Sequence, residues 1–213
     1  MEISLNNIIP DFLEKEKTDT SDVWKKTVEI KEGNKTEIIA PSGSGKTSLI
    51  HFLYGLRKDY KGTLLFNNEN IKNITPIGLA DIRAMQLSIV FQDLRLFKDF
   101  SVFQNLEIKR TLAPYHKTSL INEMSDKLGI TNKLSQKAGT CSYGEQQRIS
   151  IIRALQQPFN FIILDEPFSH LDEANSIKAM ALIEEEADKR GAGIILADLQ
   201  HNPFFKAGRT LHL

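Results

Sequence analysis

The feature that most constrains this chain is the run Pro41-Ser42-Gly43-Ser44-Gly45-Lys46-Thr47-Ser48, set between two differently patterned segments. Before it, residues 36–40 form a short apolar stretch; after it, Leu49, Ile50, Leu53 and Leu56 recur at helical spacing. A strand, a glycine-rich turn and a helix in that order aim backbone N–H groups and the positive end of the helix at one spot, a cradle for a polyphosphate. In such a cradle Lys46 reaches the β and γ phosphates and the Thr47 hydroxyl holds Mg²⁺, with Ser42, Gly43, Ser44, Gly45 and Ser48 completing the binding set. Ala40 stands where the pattern has its first glycine. If that position required φ > 0, the methyl group would strain the loop and weaken binding.

A second motif lies downstream. Phe161-Ile162-Ile163-Leu164 is a continuous apolar run, as expected of a strand buried on both faces, and it ends in Asp165-Glu166. That places two carboxylates at the carboxyl edge of a parallel sheet, where ligands of open α/β folds sit. Asp165 would hold Mg²⁺ and Glu166 would polarise an attacking water. An ordinary strand followed by an acidic turn would look the same in isolation; the phosphate loop upstream decides between them.

Around these motifs the patterning predicts strands at 3–9, 27–30, 62–66, 89–91, 193–197 and 210–213, and helices at 102–110, 120–128, 144–155 and 173–189. The 213 residues read as one domain, with a core over 1–91 and 158–213 and a helical lobe over about 92–157. Equal numbers of basic and acidic residues, 27 each, leave no global positive field for a nucleic acid. One cysteine, Cys141, suits a reducing cytoplasm, and the first ten residues lack the basic-then-apolar pattern of an export signal. No apolar run approaches the roughly 20 residues a spanning helix needs, so a membrane role would come through a partner.

A set of ordered motifs carries a family resemblance. Cys141-Ser142-Tyr143-Gly144-Glu145-Gln146-Gln147-Arg148 resembles the signature loop of ATP-binding cassette proteins, Gln92 their glutamine loop, and Ser169-His170-Leu171-Asp172 their dimer-contact loop, besides the phosphate loop and the Asp165-Glu166 strand. The resemblance implies a P-loop NTPase of α/β class: a RecA-like mixed-sheet core, an N-terminal antiparallel β subdomain and an inserted α-helical signature lobe. It implies two copies, identical or not, sandwiching two ATP molecules. Ser142, Gly144 and Glu145 would touch the γ phosphate across the interface, helped by the start of the helix there, and Gln92 would touch Mg²⁺ or water. Phe12 would stack on adenine or be a core aromatic, and Trp24 reads as core or rim. The partners implied are integral membrane permeases, which would hold the chain on the inner face of the cell membrane. The stretch 91–106 is similar to the small cassettes of lipoprotein release, macrolide export and cell division. Its apolar residues Leu94, Leu96, Phe97, Phe100, Val102 and Phe103 would form part of a groove for a partner's coupling helix, or simply lobe core.

Two further departures bear on hydrolysis. Tyr143 replaces the first glycine of the signature, where its ring would swing away or crowd the sandwich. Asp198, after Ile194-Ile195-Leu196-Ala197, occupies the place of the family's switch histidine. A carboxylate roughly 4 Å from Glu166 would be repelled by about 4 kcal/mol at an effective dielectric near 20, so Asp198 should raise one pKa or turn aside. His201, three residues on, would substitute only if its loop rerouted. The expected activity is ATP hydrolysis driving a membrane machine. The alternative is a subunit that binds ATP and hydrolyses it poorly, favoured by Ala40, Tyr143 and Asp198 and opposed by Lys46, Thr47, Gln92, Asp165 and Glu166. Chromosome and repair cassettes would carry long insertions that this chain lacks, and a soluble kinase would lack the signature and glutamine loops.

Overall fold

The computed structural model describes residues 1–12 and 18–213. Two sheets divide the chain. Strands β1 (Glu2–Pro10), β2 (Thr27–Lys31), β4 (Tyr60–Phe66) and β5 (Glu69–Asn70) form an antiparallel sheet in the order β2-β1-β4-β5. Strands β3 (Lys35–Ile39), β6 (Leu87–Val90), β7 (Phe161–Asp165), β8 (Gly193–Asp198) and β9 (Arg209–His212) form a parallel sheet in the order β6-β7-β8-β3-β9. The antiparallel sheet is the expected N-terminal β subdomain, and the parallel sheet is the α/β core.

Both faces of the parallel sheet are covered, which is why its central strands read as unbroken apolar runs. Phe161, Ile163, Ile195 and Ala197 point into one core, shared with the antiparallel sheet and α1 (Lys46–Leu53). Ile162, Leu164, Ile194 and Leu196 point into another. That second core is closed by α3 (Val102–Leu112), α4 (Ser119–Lys127), α5 (Tyr143–Leu155) and α6 (Glu173–Arg190). The period-two split along β7 and β8 therefore assigns neighbouring residues to different cores.

Helix α2 (Pro76–Met85) and strand β5 are additions to the sequence expectation. The start of α2 was written locally: Thr75 accepts from Gly78 N–H at 3.1 Å and Pro76 occupies the first turn. Only Leu79 of α2 is buried, so the helix lacks the wide apolar stripe by which helices are read. The helical lobe is fastened to α6 by a buried ionic cluster. Glu186 accepts from Arg190 at 2.6 Å and lies 2.9 Å from His116 Nε2, and the Arg190 guanidinium lies 4.2 Å from the Tyr115 ring centroid and 4.4 Å from that of Phe159.

Candidate functional site

The chain leaves β3, passes through 40–45 and enters α1 at Lys46. Ala40 is fully buried, keeps φ negative and donates its N–H to the Asp198 carbonyl at 2.8 Å. Its methyl therefore adds no strain, and the expected weakening of the loop has no structural basis. Gly43 (φ 80°) and Gly45 (φ 99°) do take the left-handed region, turning the loop so that Ser44 N–H meets the Pro41 carbonyl at 3.0 Å. Gly45 has a second reason to be glycine: a Cβ there would stand 3.0 Å from the Trp24 ring. Trp24, fully buried, donates its indole N–H to the Ser44 carbonyl at 3.0 Å, so it braces the loop from behind.

Helix α1 begins with no side-chain cap and no acid in its first turn. Its leading N–H groups are thus available to an anion. Lys46 lies beneath, buried, with its ammonium 2.6 Å from Asp165 Oδ1 and 2.5 Å from Glu166 Oε1. Burial alone would lower the Lys46 pKa; the hydrogen bonds and charges of Asp165 and Glu166 outweigh it and hold the ammonium above its ordinary value. Burial pushes the Asp165 carboxyl up against the opposing pull of Lys46. The nearby His51 imidazole is held down by burial and by the charges of Arg95 and Arg57.

A cavity of about 410 Å³ opens above this ion triad. Phe12 forms one wall, and the phosphate loop, Gln92, Glu166 and Leu199 form the rest. Phe12 is 56% exposed, which removes the core-aromatic reading; Arg57 stands behind it, 5.2 Å from the ring centroid, and donates to Ser48 Oγ at 3.2 Å. Thr47, Gln92 and Asp165 also share a second cavity with His51, Arg95 and Tyr143.

Nucleotide with Mg²⁺ fits the residues present. Two buried carboxylates lean on one ammonium, the Thr47 side chain is exposed at the helix start, and the Ser44 hydroxyl is buried without a partner. Among the described residues no group of three or more His, Cys, Asp or Glu side chains could hold a metal alone. A small set of protein ligands completed by phosphate oxygens is the usual way Mg²⁺ is bound.

Glu166 adopts φ 45° and is pinned on both sides of its peptide plane: its N–H donates to the Ala197 carbonyl at 3.0 Å and its own carbonyl accepts from Gln147 at 3.1 Å. The other amide atom of Gln147 accepts from His170 N–H at 3.0 Å. One buried glutamine of α5 thus joins the Glu166 turn to the 169–172 loop. Sequence reading missed this role and that of Trp24, because both contacts are tertiary; the lone tryptophan and the polar residue on an otherwise buried helix face were the available hints.

At the start of α5, Ser142 and Glu145 form a capping box, with Glu145 also 3.2 Å from Lys133. The box occupies the N–H groups of Ser142 and Glu145, leaving those of Tyr143 and Gly144 and the Ser142 hydroxyl proton for a ligand. The hydrogen bond from Ser142 N–H holds the Glu145 carboxyl below its ordinary range, and as an ionised acceptor it has nothing to donate to a phosphate. Tyr143 swings its ring edge-on to His170, 4.1 Å between centroids. A Cβ on Gly144 would stand 2.9 Å from the His170 carbonyl, so only glycine lets the two loops meet.

Asp198 turns aside, the second of its two expected outcomes. Its carboxylate accepts from Leu199 N–H at 2.8 Å and from the Asn202 amide at 3.2 Å, and it lines a different cavity with Phe168 and Phe204. His201 does not replace it; the imidazole pairs with buried Glu37 at 2.9 Å. Of the apolar stretch after Gln92, Leu94 and Val102 are core, while Phe97 and Phe100 are exposed and stack on each other at 5.5 Å.

Known proteins share the fold and the family pattern of this chain. Residues 25–169, well over half of the chain, match the family model described as ABC transporter. The lipoprotein-releasing system ATP-binding protein LolD of Syntrophotalea carbinolica is 31% identical over 191 residues, covering 87% of this chain and 83% of that protein. LolD of Francisella tularensis is 32% identical over 184 residues, covering 84% and 80%. Among solved structures, the dimeric bacterial ABC transporter cassette MJ0796 superimposes with a TM-score of 0.80 at 23% identity, over 93% of this chain and 88% of that one. The fold, the ordered motifs and these relatives together make the chain an ATP-binding cassette of the ABC transporter family.

Proposed function

We propose that this chain binds Mg²⁺-ATP and hydrolyses it to ADP and phosphate, as the motor subunit of a membrane complex of the lipoprotein-releasing kind. The observation that carries the reading is Lys46 held between Asp165 and Glu166 at the foot of the phosphate loop. Lys46 bridges both carboxylates and offsets part of their combined charge. With a triphosphate bound, Lys46 would turn to the β and γ phosphates, Asp165 and the Thr47 hydroxyl would hold Mg²⁺ with Gln92 beside them, and Glu166, freed from Lys46, would take a proton from the attacking water. Mg²⁺ held there would offset the negative charge that develops during phosphoryl transfer. Phe12 stacks on the base, and Arg57 and Phe52 support it from behind.

A second copy, of this chain or of a related cassette, closes the site through Ser142 and Gly144. Asp198, engaged in its own loop, leaves Glu166 as the base, with the water less firmly steadied than a histidine would make it. Turnover is slow but present. The exposed Phe97–Phe100 pair belongs to the docking face for integral membrane permeases, which keep the chain on the cytoplasmic side of the membrane. No described helix is long and apolar enough to cross a bilayer itself.

A phosphate-release assay on the purified chain tests this reading. Glu166→Gln should keep ATP binding and lower turnover by about 10²- to 10⁴-fold. Binding without any turnover in the unmutated chain would instead identify a regulatory or scaffold subunit.

A further inference from the structure

Strand β8 sorts its side chains between the two cores by alternation, and the alternation runs on past the end of the strand. Ile194 and Leu196 point into the core closed by the helical lobe; Asp198 follows them and lines a cavity with Phe168 and Phe204. Ile195 and Ala197 point into the core that holds α1; Leu199 follows those and lines the nucleotide cavity with Lys46, Gln92 and Glu166. The peptide joining residues 198 and 199 is tied at both polar atoms. Its carbonyl accepts from Ala40 N–H at 2.8 Å, and its N–H donates to the Asp198 carboxylate at 2.8 Å. Asn202 holds the other carboxylate oxygen of Asp198 at 3.2 Å, so the direction of both side chains is set.

Leu199 is 46% exposed in this position. Phe12, the other large apolar side chain on the cavity wall, has a base to stack on, whereas Leu199 has no such task. The turn that carries Glu166 rests on the same end of β8, through the hydrogen bond from Glu166 N–H to the Ala197 carbonyl at 3.0 Å. A water between Glu166 and a terminal phosphate would give one proton to the carboxylate and needs a further partner to fix its orientation. A leucine side chain carries neither donor nor acceptor.

We infer that Leu199 sets the pace of hydrolysis: its side chain, not that of Asp198, faces the reacting water from the end of β8, and its apolar surface leaves that flank of the water without a hydrogen bond. The inference rests on the ATP-hydrolysis reading above. It deepens that reading by placing the cause of slow turnover in one residue that the motifs do not include.

The test is single-turnover phosphate release by the full chain at saturating Mg²⁺-ATP. Leu199→Gln and Leu199→His put a donor and an acceptor on that wall at two different reaches, and the better placed should raise the rate at least about tenfold, as one hydrogen bond to a charged group can. ATP affinity should stay at the parental value, which marks the gain as one made in the transition state and shows that the variant is folded. Leu199→Ala removes bulk without supplying a polar atom, so its rate should not exceed that of the parent. In a Glu166→Gln background the gain should disappear, because the water then has no base to act with. A gain from neither polar variant, or an equal gain from Leu199→Ala or from Asp198→His, would overturn the inference; the hydrolysis reading would stand if the unmutated chain still outpaced Glu166→Gln. A gain that survived Glu166→Gln would overturn it too, since the new side chain would be acting as a base. Release by the unmutated chain no faster than by Glu166→Gln, with no gain at position 199, would overturn both.

Discussion

The phosphate loop and the signature loop each lead into the start of a helix, and the chain treats the two starts in opposite ways. Helix α1 opens on Gly45, offers no cap and has no acid in its first turn. Helix α5 opens on a Ser142–Glu145 capping box that satisfies two of its leading N–H groups. The first loop has a buried lysine beneath it and a tryptophan behind it; the second presents Tyr143, 47% exposed, with His170 against its ring. One end is prepared to take a phosphate by itself. The other end is rigid and nearly self-satisfied, so it contributes a shaped surface more than an open anion hole, and that surface needs something to press against.

The largest effect should come from breaking the prepared end. Lys46→Ala removes the one cation between Asp165 and Glu166 and leaves two buried carboxylates facing each other. Breaking a buried pair in this way costs about 3–5 kcal/mol. Calorimetric titration should find no Mg²⁺-ATP binding at concentrations that saturate the unmutated chain, and ATP-dependent pairing in size exclusion should vanish with it. Unchanged pairing would mean the site is misplaced.

Next in size is the cluster that keeps the signature lobe in place. Burial would raise the Glu186 pKa, but hydrogen bonds from His116, Lys189 and Arg190 outweigh it and hold the carboxyl far below its ordinary range. A carboxyl depressed on folding stabilises above its unfolded value, near 4.5, and that contribution shrinks as pH falls below it, because the unfolded chain then takes up the proton first. Glu186→Gln should therefore destabilise by about 3 kcal/mol near neutral pH. In denaturant unfolding the gap between variant and parent should be flat above about pH 5 and narrow below pH 4. A constant gap down to pH 3 would show that packing around Arg190, not the ion pairs, is what holds the lobe.

The self-satisfied end should respond to a single methyl. Gly144→Ala pushes a Cβ to 2.9 Å from the His170 carbonyl, a backbone atom that cannot swing aside. The expected destabilisation is about 1–3 kcal/mol, and turnover should fall more than ATP affinity of the isolated chain. Equal losses of both would mean that the two ends are not separable in the way the comparison holds.

Much of this is legible in the residue pattern alone. The phosphate loop, the Asp165-Glu166 strand and α5 announce themselves through local pattern, because a glycine cradle, a doubly buried strand and an amphipathic helix are each written in consecutive residues. What was not legible is what crosses the chain. Whether Ala40 is strained depends on its φ; that Asp198 turns away depends on Asn202; that Gln147 ties Glu166 to His170 depends on three elements meeting. Helix α2 fell between these cases: its Thr75-Pro76 start is a local signal, but with a single buried residue it lacked the period that gives a helix away.

The smallest effect concerns the brace behind the phosphate loop. Trp24→Phe keeps an aromatic ring at Gly45 but deletes the indole N–H that meets the Ser44 carbonyl, whose loop geometry depends on two glycines at positive φ. A net loss of about 1 kcal/mol is expected for one buried hydrogen bond. If the bond mainly preorganises the cradle, the loss appears as a severalfold weaker Mg²⁺-ATP affinity with little change in unfolding midpoint; if it mainly stabilises the fold, the order reverses. The first outcome is expected, because the loop is already fixed at one end by β3 and at the other by α1, and the bond acts on the segment between. Isothermal titration alongside thermal unfolding separates the two. A drop in stability with affinity unchanged would make Trp24 core filling, and would weaken the claim that the phosphate end is fully built before its ligand arrives.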